Sequence, residues 1–375
     1  MGSRFIRAFS AHRQKLGLPR LFTGLPESGL ADLPIDSKRP QRGWRGDRVS
    51  ESKACFEREL QSQRISLTQV LSSPTSILKS IRSMLVLYGS VRSTPLARRI
   101  DRSLLDLPLN EGTILSHQLD NAQHCATRFG LEEFEMRVLV DTDSTAPAVV
   151  PDQQSDGVRC TIEQDASPIR GVAGVLSDAT QDMDEDDFIV VTSGAQVYLE
   201  RLDDLVQAMA KKCADVTLVS SRDGSPVGVW LIRVGVLRSV KPIGYIDLKE
   251  QSLEVWKQDH AVRVVERSRA YVHPARSLSE YLDAVRAHAS GYGAGATIDE
   301  DPYREDWESS FSIAEPQSII GDGVILHDSI ALAGSVVGKG AVVVRSVLCP
   351  GAKIDPGARV TEQVVRGSVK KGRAS

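Results

Sequence analysis

The stretch Val324 to Val360, VILHDSIALAGSVVGKGAVVVRSVLCPGAKIDPGARV, carries a period that decides how the chain ends. Val324, Ile330, Val336, Val342, Leu348, Ile354 and Val360 fall six residues apart without a miss. Gly334, Gly340, Ser346, Ala352 and Ala358 follow four residues after the starts from Ile330 to Ile354. A branched residue every sixth position with a small partner predicts a parallel β-helix in which each hexad is one short strand and a turn. The branched side chain fills a narrow interior, and the small one lets the backbone round the corner. Three hexads close one coil, so the seven starts predict little more than two coils.

Upstream of the repeat the pattern becomes an alternation of strands and helices. MLVLYG (Met84 to Gly89) is an apolar run ending in Gly, the pattern of a buried parallel strand entering a loop. ILSHQLDNAQHCATRFG (Ile114 to Gly130) has helical spacing with a glycine stop. EMRVLVD, GVRCTIE, DFIVVTSG and DVTLVSS read as further strands, and LERLDDLVQAMAKKC as an amphipathic helix with Asp203 and Asp204 facing solvent. This alternation predicts a three-layer α/β domain with a mostly parallel sheet, whose ligands sit beyond the carboxyl ends of the strands.

Composition narrows the function classes. The 375 residues are 41% hydrophobic and 25% charged, as in an ordinary globular chain of more than one unit. With 46 Lys/Arg against 49 Asp/Glu, the net charge of −3 argues against a nucleic-acid coat. No apolar run reaches the roughly 20 residues of a membrane span. Cys55, Cys125, Cys160, Cys213 and Cys349 are scattered without CxxC spacing, so neither a disulfide framework nor a zinc site is indicated and the expected location is cytoplasmic. The first fifty residues hold ten Lys/Arg against four Asp/Glu and read as a basic, poorly ordered extension, with RPQRGWRGDR (Arg39 to Arg48) the alternative of an anion-contact patch. DMDEDD (Asp182 to Asp187) lacks the spacing of a calcium loop and reads as a solvated acidic turn. No GxSxG or HExxH occurs.

Two segments carry family resemblances. VVGKGAVV and IDPGARV resemble the left-handed hexapeptide-repeat family, many of whose members are acyltransferases with a histidine in a long prism. His327 is the only histidine of this repeat, and the implied role is structural or oligomerising. VLYGSVRSTPLARRIDRSLLDLPLNEGTILSHQLDN (Val86 to Asn121) looks like the opening of sugar-1-phosphate nucleotidyltransferases. SPIRGVAGVL (Ser167 to Leu176) is similar to that family's nucleobase segment, DDFIVVTSGA (Asp186 to Ala195) to its Asn-Gly-Asp strand, and GYIDLKEQ (Gly244 to Gln251) to a segment before its last crossover. The domain order is that of mannose-1-phosphate guanylyltransferase-like proteins. The resemblance implies a nucleotidyltransferase-like (GT-A/Rossmann-like) domain followed by a short left-handed parallel β-helix. It places nucleotide or phosphate contacts at Gly89, Ser90, Arg92, Arg102, Gly171, Ala173 and Gly174, and sugar contacts at Asp247, Lys249 and Glu250. From its own spacing Asp247 reads equally as a helix N-cap.

The chemistry of that family is an in-line attack on an α-phosphorus, which rests on positioning and on charge neutralisation by Mg²⁺, Lys and Arg. By resemblance, Leu104 stands where a phosphate-binding lysine is expected, and Ala195 and Pro274 where two metal-binding aspartates are expected. VSSRDGSPVGVWLIRV runs directly from one strand to the next, without the sugar-phosphate lysine segment. No catalytic residue and no metal ligand is therefore assigned, and Mg²⁺ is required only if the chain is active. The expected organisation is a basic extension over 1–80, the α/β domain over 81–298, a linker over 299–315, the repeat over 316–368 and a basic tail over 369–375. The expected function is a nucleotide-sugar-binding or regulatory subunit of impaired catalysis, as a homo-oligomer or beside an active relative. An active but divergent transferase and a ligand-free oligomerising scaffold are the alternatives.

Overall fold

The computed structural model describes residues 73–89, 94–100, 102–148, 154–155, 157–165, 170–221, 224, 226–267, 272–289 and 310–367. The basic extension, apart from its last eight residues, and the basic tail lie outside them. The first strand, β1 (Ile81–Tyr88), is buried at almost every position, as a central strand covered on both faces must be. Beside it run β2 (Phe134–Val140) and β4 (Val158–Gln164), with the short β3 (Gln154–Ser155) at the edge. On its other side follow β5 (Phe188–Ser193), β8 (Pro226–Arg233), β7 (Val216–Ser220) and β9 (Val262–Glu266). The sheet order is β3-β4-β2-β1-β5-β8-β7-β9. Strands β4, β2, β1 and β5 are parallel neighbours, while β8 is antiparallel to β5 and β7. The reversal of β8 follows from the direct connection noted in the sequence, because a short link between adjacent strands closes only as a hairpin.

Helices cover both faces. Met84, Val86 and Val190 share one core with α1 (Pro74–Lys79), α2 (Ile114–Phe129), α4 (Leu202–Ala210) and α7 (Leu278–Ala289). Leu85, Ile189 and Val191 share the other with α3 (Gly171–Ala179), α5 (Val234–Leu237) and α6 (Leu253–Asp259). The three-layer α/β domain expected from the sequence is the one observed. Helix α2 starts with a Thr113–Ser116 capping box and ends at Gly130 in the left-handed conformation, as its glycine stop indicated. Asp203 departs from expectation. It is fully buried in the first turn of α4, where Arg128 of α2 and Arg201 hold its carboxylate at 2.8 and 3.0 Å. A small strand pair, β6 (Gln196–Tyr198) with β10 (Val272–Pro274), lies apart from the large sheet.

From Ser312 the chain forms a parallel β-helix of three sheets. One holds β11 (Ser312–Ala314), β14 (Ser329–Ala331), β17 (Val347–Leu348) and β20 (Val364–Val365). The second holds β12 (Ile319–Ile320), β15 (Val336–Val337) and β18 (Lys353–Ile354). The third holds β13 (Ile325–His327), β16 (Val342–Val344) and β19 (Arg359–Thr361). These make three coils and a final strand, more than the sequence period suggested.

The period itself is corrected. Ile313 pairs with Ile330, Ile330 with Val347, and Val347 with Val364, so a coil is 17 residues long, one short of three hexads. The missing residue belongs to one corner, where Asp328, Arg345 and Glu362 adopt φ of 47°, 47° and 53°. Ser329 and Ser346 lie next to that corner, and their hydroxyls accept from the Ser346 and Gln363 amides at 3.1 and 3.0 Å. The interior is consequently filled by Ala331, Val337, Val343, Leu348 and Ile354. Val336 and Val342 lie half-buried outside, and Ile330 joins the core of the α/β domain.

The first of the three sheets packs on the α/β domain. Ile330, Leu332, Val347 and Cys349 belong to the same continuous core as Leu104, Leu105 and Tyr281. Arg102 Nη1 donates to Glu315 at 3.0 Å, Arg286 Nη2 to Asp328 at 2.6 Å, and Arg366 Nε to the Arg99 carbonyl at 2.7 Å.

Val343→Asp is expected to destabilise the protein by several kcal/mol, since it buries a carboxylate without a partner. Val342→Asp, on the outside of the coil, is expected to change stability by only about 0.5 kcal/mol. Thermal denaturation of both variants decides the matter, because a strict hexad would reverse their order.

Candidate functional site

The carboxyl ends of β1, β2, β4 and β5 lie side by side. The Asp141 amide donates to the Tyr88 carbonyl at 3.0 Å, the Asp165 amide to Val140 at 2.8 Å, and the Gly194 amide to Leu87 at 2.8 Å. Gly89, Asp141, Asp165 and Gly194 therefore line one edge. Gly89 has φ +86°, and a Cβ there would collide with the Ser144 hydroxyl and stand 3.0 Å from the Asp141 side chain. The side chains of Ser144 and Asp141 in the 141–144 turn thus occupy the room that the absent side chain leaves. The Asp106 carboxylate pins this loop by accepting from the Ala148 amide at 2.8 Å.

Asp165 and Asp141 interact as like charges. Burial, with Asp141 adding to it, pushes the Asp165 carboxyl up to about 6. Its Oδ1 has no hydrogen-bond partner among the described residues. Asp165 also lines a cavity of about 160 Å³ with Arg137 and Arg170. Both of those arginines are committed to bidentate pairs, Arg137 with Glu163 and Arg170 with Asp178, with every contact at 2.7 Å.

A second wall comes from α3 and the segment that follows α5. Gly171 has φ +69°, and a Cβ there would stand 2.5 Å from the Ile246 carbonyl oxygen. That oxygen accepts from the Ala173 amide at 3.2 Å, and the Ile246 amide donates to Arg170 O at 2.9 Å. Gly171, Ala173 and Gly174 are buried under this crossing. Beside it Asp247 caps the next helical turn, accepting from the Lys249 and Glu250 amides at 2.7 and 2.8 Å. The N-cap reading of Asp247 is the geometry observed. The Lys249 ammonium is pulled down by desolvation, with Asp247 opposing and the Arg276 charge adding to it.

The structure thus brings the 171–174 and 247–250 segments together near Arg276. It does not bring Arg102 to them, because Arg102 Nη1 and Nη2 are spent on Glu315 and the Asp106 carbonyl. Its cation ties the β-helix to the domain. Ser90 and Arg92 lie outside the described residues.

Ala195 and Pro274 are neighbours in space. Pro274 pairs with Gln196, and the Ala275 amide donates to the Ala195 carbonyl at 2.9 Å. Gln118 fixes this corner from α2, with Nε2 donating to the Gln196 carbonyl at 3.1 Å. Nearby, His117 Nε2 accepts from the Tyr198 amide at 3.1 Å, and burial together with His288 pulls its pKa down to about 4. Neither Ala195 nor Pro274 offers a side-chain oxygen to Mg²⁺, a hard cation that takes oxygen ligands. Among the described residues no group of three or more His, Cys, Asp or Glu is placed to hold a metal.

Asp141, Asp165 and Arg170 were not singled out by the sequence. Their available signal was position, since Asp141 and Asp165 stand at the ends of the apolar runs of β2 and β4.

No family model and no curated protein matches the chain. Among solved structures, a protein assigned as glucose-1-phosphate thymidylyltransferase from Bacillus anthracis, in complex with a sucrose, is similar over 56% of this chain and 95% of its own, with 14% identity and a TM-score of 0.42. A homologue of a Mycobacterium tuberculosis protein, from Mycobacterium sp. strain JC1, is similar over 57% of this chain and 98% of its own, with 18% identity and a TM-score of 0.38. Among the described residues no helix is long and apolar enough to cross a membrane.

The raised pKa of Asp165 has a definite sign. In the folded protein it keeps its proton up to pH about 6, whereas the unfolded chain releases it near pH about 4. Its contribution to stability therefore falls as pH rises across that window and stays lowered above it. Asp165→Asn is expected to raise Tm at pH 7.5 and to lose that advantage at pH 4, in a pair of thermal melts.

Proposed function

We propose that this chain is a sugar-1-phosphate nucleotidyltransferase-like protein of nucleotide-sugar metabolism that binds a nucleotide or nucleotide-sugar without turning it over. It acts as a regulatory subunit, in a homo-oligomer or beside an active relative. The observation that carries this reading is the pairing of the β6 and β10 segments. By resemblance two aspartates would meet there on a metal, and here Ala195 and Pro274 meet instead. Transfer to an α-phosphorus needs the developing charge neutralised in place, and losing such electrostatic partners removes several kcal/mol of transition-state stabilisation.

Binding needs less. Lys249, with Arg276 near it, supplies positive charge beside the 171–174 and 247–250 walls at the mouth. A diphosphate would relieve the repulsion between the two cations and favour the Lys249 ammonium. Asp247 orients the turn that carries Lys249.

The test is a thermal shift of the full chain with nucleoside triphosphates and nucleotide sugars, each with and without Mg²⁺. Ligand bound to the folded state raises Tm, and at about 100 times Kd the gain is about 2.7 kcal/mol. A nucleotide sugar is expected to shift Tm equally with and without Mg²⁺, and Lys249→Ala to abolish most of that shift. Absence of a shift with every ligand sinks the reading.

One observation favours a second reading. Asp141 and Asp165 place two interacting carboxylates at the strand edge. They are the candidates to hold Mg²⁺ in an active, divergent transferase. Pyrophosphate release that depends on Mg²⁺ and is lost in Asp165→Asn would establish it.

A further inference from the structure

Arg170 stands just before the first residue of α3 and is 8% exposed. Its Nε and Nη2 donate to the two carboxylate oxygens of Asp178, at the far end of the same helix, at 2.7 Å each. The other arm of the fork turns outward, where Nη1 donates to the Lys241 carbonyl at 3.0 Å and to the Gly244 carbonyl at 3.5 Å. The Arg170 backbone makes a third tie, its carbonyl accepting from the Ile246 amide at 2.9 Å. The guanidinium lies over Gly174, where a Cβ would stand 3.0 Å from Cζ and 3.2 Å from Nε. The room that Gly174 leaves is filled from its own helix.

The 241–246 segment has little else to hold it. Ile243 is 84% exposed and Tyr245 48%, and of these six residues only Ile246 packs against a core, so burial contributes little there. Among the described residues, every hydrogen bond of the segment runs to Arg170 or Ala173. What the segment carries is the wall of the proposed site. Ile246 crosses over Gly171, and Asp247 next to it caps the turn by accepting from the Lys249 and Glu250 amides. A planar fork with donors at fixed angles holds a carboxylate and two carbonyls at once, which a lysine ammonium cannot do.

We infer that Arg170 is a positioning residue for this wall, an inference that rests on the binding reading above. Through the Lys241 and Gly244 carbonyls and the Ile246 amide it sets where Lys249 stands at the mouth, and it acts on the ligand only through Lys249. Gly174 serves the same arrangement, because a side chain there would lift the fork off the helix. Arg137 is the matched comparison. It lines the same cavity and is paired as closely with Glu163, but its remaining bond goes to the Ala179 carbonyl and none reaches the 241–246 segment.

Amide hydrogen exchange of the full chain without ligand tests the tether. Arg170→Lys is expected to speed exchange over 246–250 about tenfold or more and to leave α2 and the β-helix at wild-type rates. Gly174→Ala is expected to act in the same direction, although alanine favours a helix over glycine. Arg137→Lys is expected to leave exchange over 246–250 unchanged. Titration with the nucleotide sugar that gives the largest thermal shift then tests the route. Arg170→Lys is expected to weaken binding about tenfold in the wild-type background and by less than about twofold in Lys249→Ala, since effects that pass through one residue do not add. Unchanged exchange over 246–250 in Arg170→Lys and Gly174→Ala overturns the inference. So does an equal rise in Arg137→Lys, or a loss of binding that persists in full without Lys249. If no nucleotide sugar binds the wild type, the binding reading falls, while the exchange rates still decide whether Arg170 holds the wall.

Discussion

One shared core governs how this molecule is put together. Ile330, Leu332, Val347 and Cys349 turn away from the β-helix interior and join Leu104, Leu105 and Tyr281 of the α/β domain. A prism of such short strands has room inside for few side chains, so much of what holds it comes from the face it buries elsewhere. The buried face must be apolar on both sides of its strands. That requirement leaves the chain with valine and isoleucine at inward and outward positions alike.

The ion pairs around this core set orientation more than they add stability. Arg102 to Glu315 and Arg286 to Asp328 both join half-buried or buried partners across the junction. Such pairs roughly repay their own desolvation, yet each demands one geometry. Tyr281 adds a buried hydrogen bond to the Pro108 carbonyl at 2.6 Å, fixing α7 against the loop that precedes α2. The carboxyl edge of the sheet is thereby held from behind, and its walls are the close approaches of the Ser144 side chain to Gly89 and of the Ile246 backbone to Gly171.

Much of the fold was legible in the sequence. The apolar runs of β1 and β5 and the capped periodicity of α2 name their elements directly, because burial on both faces or on one stripe leaves a local pattern. The phase of the repeat was not legible. The short corner is marked by Asp328, Arg345 and Glu362, residues that carry no glycine signal for the left-handed conformation they adopt. Doubly apolar strands then let a strict six-residue reading run through unbroken. The burial of Asp203 escaped for a related reason, since its arginine partner lies on another helix, 75 residues away. The true partner of Arg102 is 213 residues distant, a pairing that no local spacing announces. At the site, the neighbourhood of the 171–174 and 247–250 segments was legible only through resemblance, and Asp141 and Asp165 only through the rule that strands of such sheets end at the ligand side.

The shared core also bears on how such a chain can change over generations. A module joined by a loop can be lost, exchanged or lengthened while its host stays soluble. Here the host's own interior is completed by residues translated later than every strand of the large sheet. Until Val347 and Cys349 emerge, the nascent domain presents an uncovered apolar flank that a chaperone must tolerate. Loss of the tail would leave that flank permanently bare, so the repeat is inherited with its domain and not as an interchangeable part. Growth is constrained as well, because any coil inserted between existing ones must add 17 residues and bring a tight corner with it.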